Sequence, residues 1–156
     1  MQKITPFLWF DGNAEDAMNF YASIFKESKI LSVRRYPESG SGPRGVIGGS
    51  FIIRGQEFMV LNGGPQFKFT EAISFFVNCE TQDEVDCLWE QLSAGGKPGR
   101  CGWLKDKFGL SWQIIPTALG KLMGDPDAAK AGRVMQAMMQ MNKIEIDKLQ
   151  QAHDQQ

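Results

Sequence analysis

"CGWLKDKFGLSWQIIP", residues 101–116, holds two of the chain's four tryptophans, Trp103 and Trp112, in one glycine-punctuated hairpin. Aromatic and branched runs over about 98–104 and 109–116 flank a polar turn, the pattern of two paired strands. Successive strand residues point to opposite faces, so Ser111, Gln113 and Ile115 share one face and Trp112 and Ile114 the other. An amide within so apolar a strand has two readings. It orients a ligand by hydrogen bonding, or it satisfies backbone groups at a sheet junction.

Working outward, "EAISFFVNC" (71–79) reads as a strand, and Thr81 with Glu84 forms a capping box opening a helix over 82–94. Val85, Leu88, Trp89 and Leu92 form its apolar stripe, and Gly95-Gly96 ends it. Cys87, in mid-helix, reads as a small packing residue. The same order of elements runs through the first part of the chain. "KITPFLWF" (3–10) is a strand, Asn13 caps a helix over 14–25, and "KILSVRRY" (29–36) is a second strand. "PESGSGPRG" (37–45) is a loop, and strands 46–54 and 56–64 meet in a hairpin at Gly55. Gly48 and Gly49 inside a strand signal a bulge or a close backbone approach. Strand–helix–strand–strand–strand over 3–64 is thus repeated, shortened, over 71–116.

The fold class expected is α+β: two tandem βαβββ modules forming a cupped half-barrel, with a C-terminal helical extension over about 117–152, all in one domain of 156 residues. In the extension, Asp125-Pro126 reads as an N-cap opening a helix over 127–141, followed by a second helix over about 143–152. Met135, Met138, Met139 and Met141 suit either an adaptable partner groove or a helix hairpin packed on its own barrel or on a dimer mate.

Composition excludes several functions. A net charge of −1, with Lys and Arg scattered, gives no footprint for nucleic acid or an anionic membrane. No apolar run approaches the roughly 20 residues of a membrane span, and the N-terminus lacks a signal-peptide pattern. Cytoplasmic localisation is therefore expected. Three cysteines without CxxC spacing (Cys79, Cys87 and Cys101) point to reduced thiols and no zinc site. The sole histidine, His153, lies at the polar C-terminus, so chemistry inside the domain must proceed without imidazole.

If the two modules enclose a cleft opposite their helices, Pro6 and Leu8 on the first strand line it, with Ala72, Ser74 and Phe76 on the fifth. Glu57 and Glu71 are a conceivable carboxylate pair, though surface charge explains both. Ser74 has no partner base. Cys101 is the remaining nucleophile candidate, with inert packing as the simpler reading.

"ITPFLWFDGNAEDAMNFYASIF", "EAISFFVNCETQDEVDCLWEQLSAGG", "GWLKDKFGLSWQIIP" and "DPDAAKAGRVMQAMMQM" resemble the PhnB-like branch of the vicinal oxygen chelate superfamily, which includes glyoxalase I, bleomycin-resistance proteins and extradiol dioxygenases. Members of that branch are commonly labelled 3-demethylubiquinone-9 3-methyltransferase. The superfamily's four metal-ligand positions fall near Pro6, Val60, Ala72 and Gln113, of which only Gln113 carries a donor. Pro, Val and Ala offer a divalent ion no side-chain ligand. The expectation is therefore no metal and no cofactor. "DGNAED" (11–16) lacks the repeated-glycine turn that nucleotide-type cofactors use.

The first functional reading is a metal-free protein binding a small apolar or aromatic molecule, lined by Pro6, Leu8, Ser74, Phe76, Trp103 and Gln113, and acting as a homodimer without nucleic-acid or membrane partners. The second is an enzyme, either the labelled methyltransferase or a metal-dependent lyase or isomerase. The third is an interaction module working through its Met-rich helix.

Overall fold

The computed structural model describes residues 2–155. The chain divides into two compact units, Met1–Phe69 and Thr70–Gln156.

The first unit contains β1 (Phe7–Phe10), α1 (Ala14–Ile24), β2 (Ser28–Arg35), β3 (Val46–Ile53) and β4 (Gln56–Asn62). Its sheet order is β1-β4-β3-β2, with β1 parallel to β4 and the other pairings antiparallel. The β3–β4 hairpin turns on Arg54 and Gly55 at φ 48° and 84°, the double positive φ of a two-residue turn that follows the strand twist. The glycine pair has the predicted origin. A Cβ on Gly48 would meet the Val60 carbonyl, and one on Gly49 the Ser32 carbonyl, where β2 shifts register between Ile30 and Ser32.

Asn13 occupies the N-cap position of α1 as expected, but its side chain makes no cap hydrogen bond. Asn62 does that work. Its Oδ1 accepts from Ala14 N at 2.9 Å while its Nδ2 donates to the Val46 carbonyl at 3.0 Å. The apolar face of α1 (Ala14, Ala17, Met18, Tyr21) is buried with Leu8, Phe10, Phe51, Phe58 and Val60 of the sheet. Tyr21 stacks on Phe51, and Phe51 on Phe58, with centroids 5.7 and 5.0 Å apart.

The second unit contains β5 (Ser74–Cys79), α2 (Gln82–Ser93), β6 (Lys97–Pro98), β7 (Trp103–Lys105) and β8 (Ser111–Pro116), then α3 (Thr117–Met123), α4 (Ala128–Met139) and α5 (Ile146–Asp154). Its order, β5-β8-β7-β6 with β5 parallel to β8, repeats that of the first unit. Both sheets are open. Thr81 caps α2 as expected, accepting from Glu84 N at 3.2 Å; the Glu84 carboxylate reaches back to Glu80 N at 2.9 Å. Val85, Leu88 and Leu92 are buried, whereas Trp89 is half-buried and Cys87 is exposed, so Cys87 is not a packing residue.

The C-terminal helices differ from expectation at their starts. α4 is capped by Asp127, whose Oδ1 accepts from Ala129 N at 3.0 Å, and Asp125 instead accepts from Asp127 N and contacts His153. α3 has no sequence-predicted counterpart. The helices pack on their own unit, because Leu119, Val134, Met141, Ile144 and Leu149 bury a common cluster with Ile115 of β8. Backbone bonds from Cys101 N to Met141 O and from Gly102 N to Asn142 O, both 2.8 Å, tie the β6–β7 turn to the α4–α5 connection. Gln82 of α2 holds the same connection, donating to the Ile144 carbonyl at 3.0 Å and accepting from Ile146 N at 2.7 Å. Met135 and Met139 face outward. No helix among the described residues is long and apolar enough to cross a membrane.

Candidate functional site

Strand register builds the site on the face of the second sheet that α2 does not cover. Trp112, Ile114, Val77 and Cys79 are buried on the α2 side, while Gln113 and Phe76 lie on the other, as alternation from the hairpin predicts. Gln113 pairs with Phe76 on one side and Trp103 on the other, so an aromatic–amide–aromatic row crosses three strands. One step toward the strand ends, Asn78 pairs with Ile115. Past Pro116 the chain enters α3 directly, and residues of α3 and α4 line a cavity with this row.

The result is a cavity of about 660 Å³ lined by Phe76, Trp103 and Gln113, by Ile115 and Leu119, and by Met138 of α4. Its walls are mainly hydrocarbon and aromatic. Gln113 Nε2 donates to Ser74 Oγ at 2.9 Å. Among the described residues no donor reaches Gln113 Oε1, so the amide presents an acceptor to whatever fills the cavity. Cys101, held at φ 57° in the β6–β7 turn, also lines it, as does Lys121 at the α3 end.

Of the six residues singled out from the sequence, Phe76, Trp103 and Gln113 line this cavity, and Ser74 supports Gln113 from beneath. Pro6 and Leu8 belong to the first unit. Leu8 is buried on the α1 side of its sheet, and Phe7, at 54% exposure, holds the opposite face. Pro6 precedes β1 and is half-buried, its carbonyl accepting from Met59 N at 2.9 Å. The expected face of β1 is thus corrected by one residue. "FLWF" is apolar on both sides, so it carries no polar contrast to set the parity. Among the cavity residues that sequence reasoning missed, Leu119, Lys121 and Met123 come from α3. Leu119, Leu122 and Met123 at i, i+3 and i+4 were the available signal.

A chelated metal does not fit these residues. Val60 is buried beside Leu8 under α1, Ala72 sits in the turn before β5, and Gln113 brings one amide oxygen. Taking Phe7 and Met59 as the open-face pair of the first unit adds no oxygen or nitrogen ligand. Among the described residues no group of three or more His, Cys, Asp or Glu side chains is arranged to hold a metal ion. The carboxylates considered as a pair serve elsewhere: Glu57 lies in β4 of the first unit, and Glu71 forms an ion pair with Lys105 in the second.

Residues 2–115 match the family model described as 3-demethylubiquinone-9 3-methyltransferase. The chain belongs to this family. A PhnB protein from Bacillus cereus, described as a candidate 3-demethylubiquinone-9 3-methyltransferase, is 43% identical, with 74% of this chain covering all of that one at a TM-score of 0.69. The protein PA1353 from Pseudomonas aeruginosa superposes at a TM-score of 0.63 with 18% identity, covering 74% of this chain and 98% of its own, which supports the fold alone. A glyoxylase/bleomycin resistance protein/dioxygenase domain from Frankia sp. EAN1pec aligns with 13% identity over 74% of this chain and 92% of its own, at a TM-score of 0.49. The fold is shared with the Bacillus cereus PhnB protein and with PA1353. No curated protein matches the chain. The family match ends at residue 115, before α3, so the helices that wall the cavity lie outside it.

Proposed function

We propose that the second unit is a metal-free binding site for a small, largely aromatic or apolar molecule, oriented by the Gln113 amide. The observation that carries this reading is one cavity in which Phe76 and Trp103 flank an amide oxygen that no donor among the described residues reaches. Burial of aromatic rings supplies affinity, and a single well-placed acceptor supplies orientation. Pro6 and Leu8 are not part of the site in this reading. A homodimer suits a chain whose sheets keep open edges. Three cysteines outside any disulfide suit a reducing cytoplasm.

The test is titration with N-phenyl-1-naphthylamine, a neutral aromatic amine whose N–H can donate to Gln113. Saturable fluorescence enhancement is expected, weakened about fivefold by Gln113→Leu, the cost of one hydrogen bond of about 1 kcal/mol. Absence of saturable binding overturns the reading, and so does stoichiometric metal in protein isolated from cells that is lost on Gln113→Ala.

The family description favours a second reading, a methyltransferase. The chain offers no repeated-glycine turn after β1, and Gly48 and Gly49 serve strand packing. Calorimetry with S-adenosylmethionine decides: saturable binding establishes that reading in place of the first.

A further inference from the structure

Ser111 Oγ is buried, at 1% residue exposure, and has no hydrogen-bond partner among the described residues. Buried hydroxyls are seldom left in this state, because an unmade bond costs about 1–3 kcal/mol. Ser111 lines a hollow of about 210 Å³ together with Trp103, Lys97, Lys105 and Glu71. Trp103 also lines the larger cavity, so the two hollows share that residue.

The register explains the clustering. Ser74, Ser111, Lys105 and Lys97 are consecutive cross-strand partners on β5, β8, β7 and β6. Partners across a sheet share a face. This row lies two residues from the Phe76–Gln113–Trp103 row and on the same side. The face therefore grades from two hydroxyls and two ammonium groups, through an aromatic middle, to the apolar end under α3.

The chain already places a carboxylate at the cationic end. Glu71 forms an ion pair with Lys105, and both side chains are partly exposed, so the carboxylate can be displaced. The hydrogen bond from Lys105 is the largest influence holding the Glu71 carboxyl below its usual range, and Lys97 adds a smaller pull in the same direction.

We propose that Ser111, Lys105 and Lys97 form a subsite for the anionic group of an amphipathic aromatic acid whose ring system lies in the Trp103–Gln113 cavity, with Glu71 occupying the subsite when it is empty. This rests on the reading of that cavity as a binding site and names the class of its ligand. Two lysines against one carboxylate leave a net positive charge, and the Ser111 hydroxyl supplies the donor that the carboxylate oxygens of a guest would accept.

The experiment compares two probes with one ring system. One is 1-anilinonaphthalene-8-sulfonate and the other its uncharged parent, N-phenyl-1-naphthylamine. In the wild type the sulfonate binds about tenfold tighter, and 0.5 M salt erases that preference while leaving the neutral probe unaffected. Lys97→Gln weakens the sulfonate about threefold, and Ser111→Ala does the same without loss of thermal stability, because it removes an unpaired hydroxyl. Glu71→Gln acts in the opposite direction and tightens the sulfonate about threefold. None of the three moves the neutral probe. Equal affinity for the two probes, or a preference unmoved by Lys97→Gln and Glu71→Gln, overturns the subsite and leaves the cavity standing. A preference abolished by Lys121→Gln instead places the anion at the α3 end and also overturns it. Failure of both probes to bind removes the cavity reading itself, and the subsite with it.

Discussion

Asp106 gives the sharpest test of what holds the opening hairpin in shape. Its carboxylate is 2% exposed and accepts three hydrogen bonds. Phe108 N and Leu110 N reach Oδ1 at 2.9 and 3.0 Å, and Trp112 Nε1 reaches Oδ2 at 2.9 Å. One side chain thus fixes both the β7–β8 turn and the indole packed beneath α2. Asp106→Ala strands three donors, of which the two backbone amides can recover water through the vacated space, so the cost is about 3–5 kcal/mol. That is a large share of the roughly 5–15 kcal/mol that stabilises a domain. Asp106→Asn keeps an oxygen for the two amides but sets an NH2 against the indole N–H, for about 2–3 kcal/mol. Trp112→Phe removes that N–H, so the Asn substitution costs about 1–2 kcal/mol less in the Phe background. Urea unfolding followed by far-ultraviolet circular dichroism measures all five proteins, the wild type and the double variant included, at a common denaturant slope. If Asp106→Ala costs under about 1 kcal/mol, or if Asn costs the same in both backgrounds, the account of the hairpin is wrong.

His153 sits between two carboxylates, with Nδ1 2.8 Å from Asp154 and Nε2 2.7 Å from Asp125, and only the imidazolium can donate to both. The Asp154 and then the Asp125 hydrogen bonds raise its pKa above the ordinary value of 6.5. Its contribution is therefore full below about pH 6.5 and is lost as pH rises through the higher folded value. A melting series from pH 6 to 9 is expected to decline in the wild type and to decline less in His153→Gln; parallel curves refute the assignment. Gly49→Ala forces a methyl against the Ser32 carbonyl and the Met18 methyl 3.1 Å away, for a loss of about 2–3 kcal/mol. Gly132→Ala, in α4 with open space around it, is expected to stabilise by about 0.5–1 kcal/mol, and denaturant midpoints of the pair decide. A thiol reagent is expected to label exposed Cys87 in the native protein and to reach buried Cys79 only on unfolding. Mass spectrometry of labelled peptides would show the reverse order if the α2 register were misplaced.

The order of elements was legible because turn chemistry and periodicity agree along most of the chain. Gly55, the Thr81 capping box, Gly48-Gly49 and the alternation through Gln113 are each local signals with local causes. Cys87 was misread although the spacing held the answer: with Val85, Leu88 and Leu92 inward, position 87 points away from the sheet. α3 escaped notice because it is seven residues long, contains Gly120 and begins at Thr117 after Pro116, which offers no side-chain cap. Asp125-Pro126 imitated a helix start two residues early. The candidate site was only half visible. Phe76, Trp103 and Gln113 follow from strand parity, but the row joining Ser111 to Lys105 and Lys97 depends on register across β6, β7 and β8, which no single segment encodes.

The contrast between the two helix starts has a kinetic consequence. α2 takes its cap from Thr81, its immediate neighbour, and can nucleate alone. The first amide of α1 waits for Asn62, 48 positions away on the last strand of its sheet. That bond closes a long loop before it returns anything, so the N-terminal turn of α1 belongs after the folding barrier and that of α2 before it. Asn62→Ala should then hasten unfolding with little effect on the refolding rate, while Thr81→Ala should slow refolding.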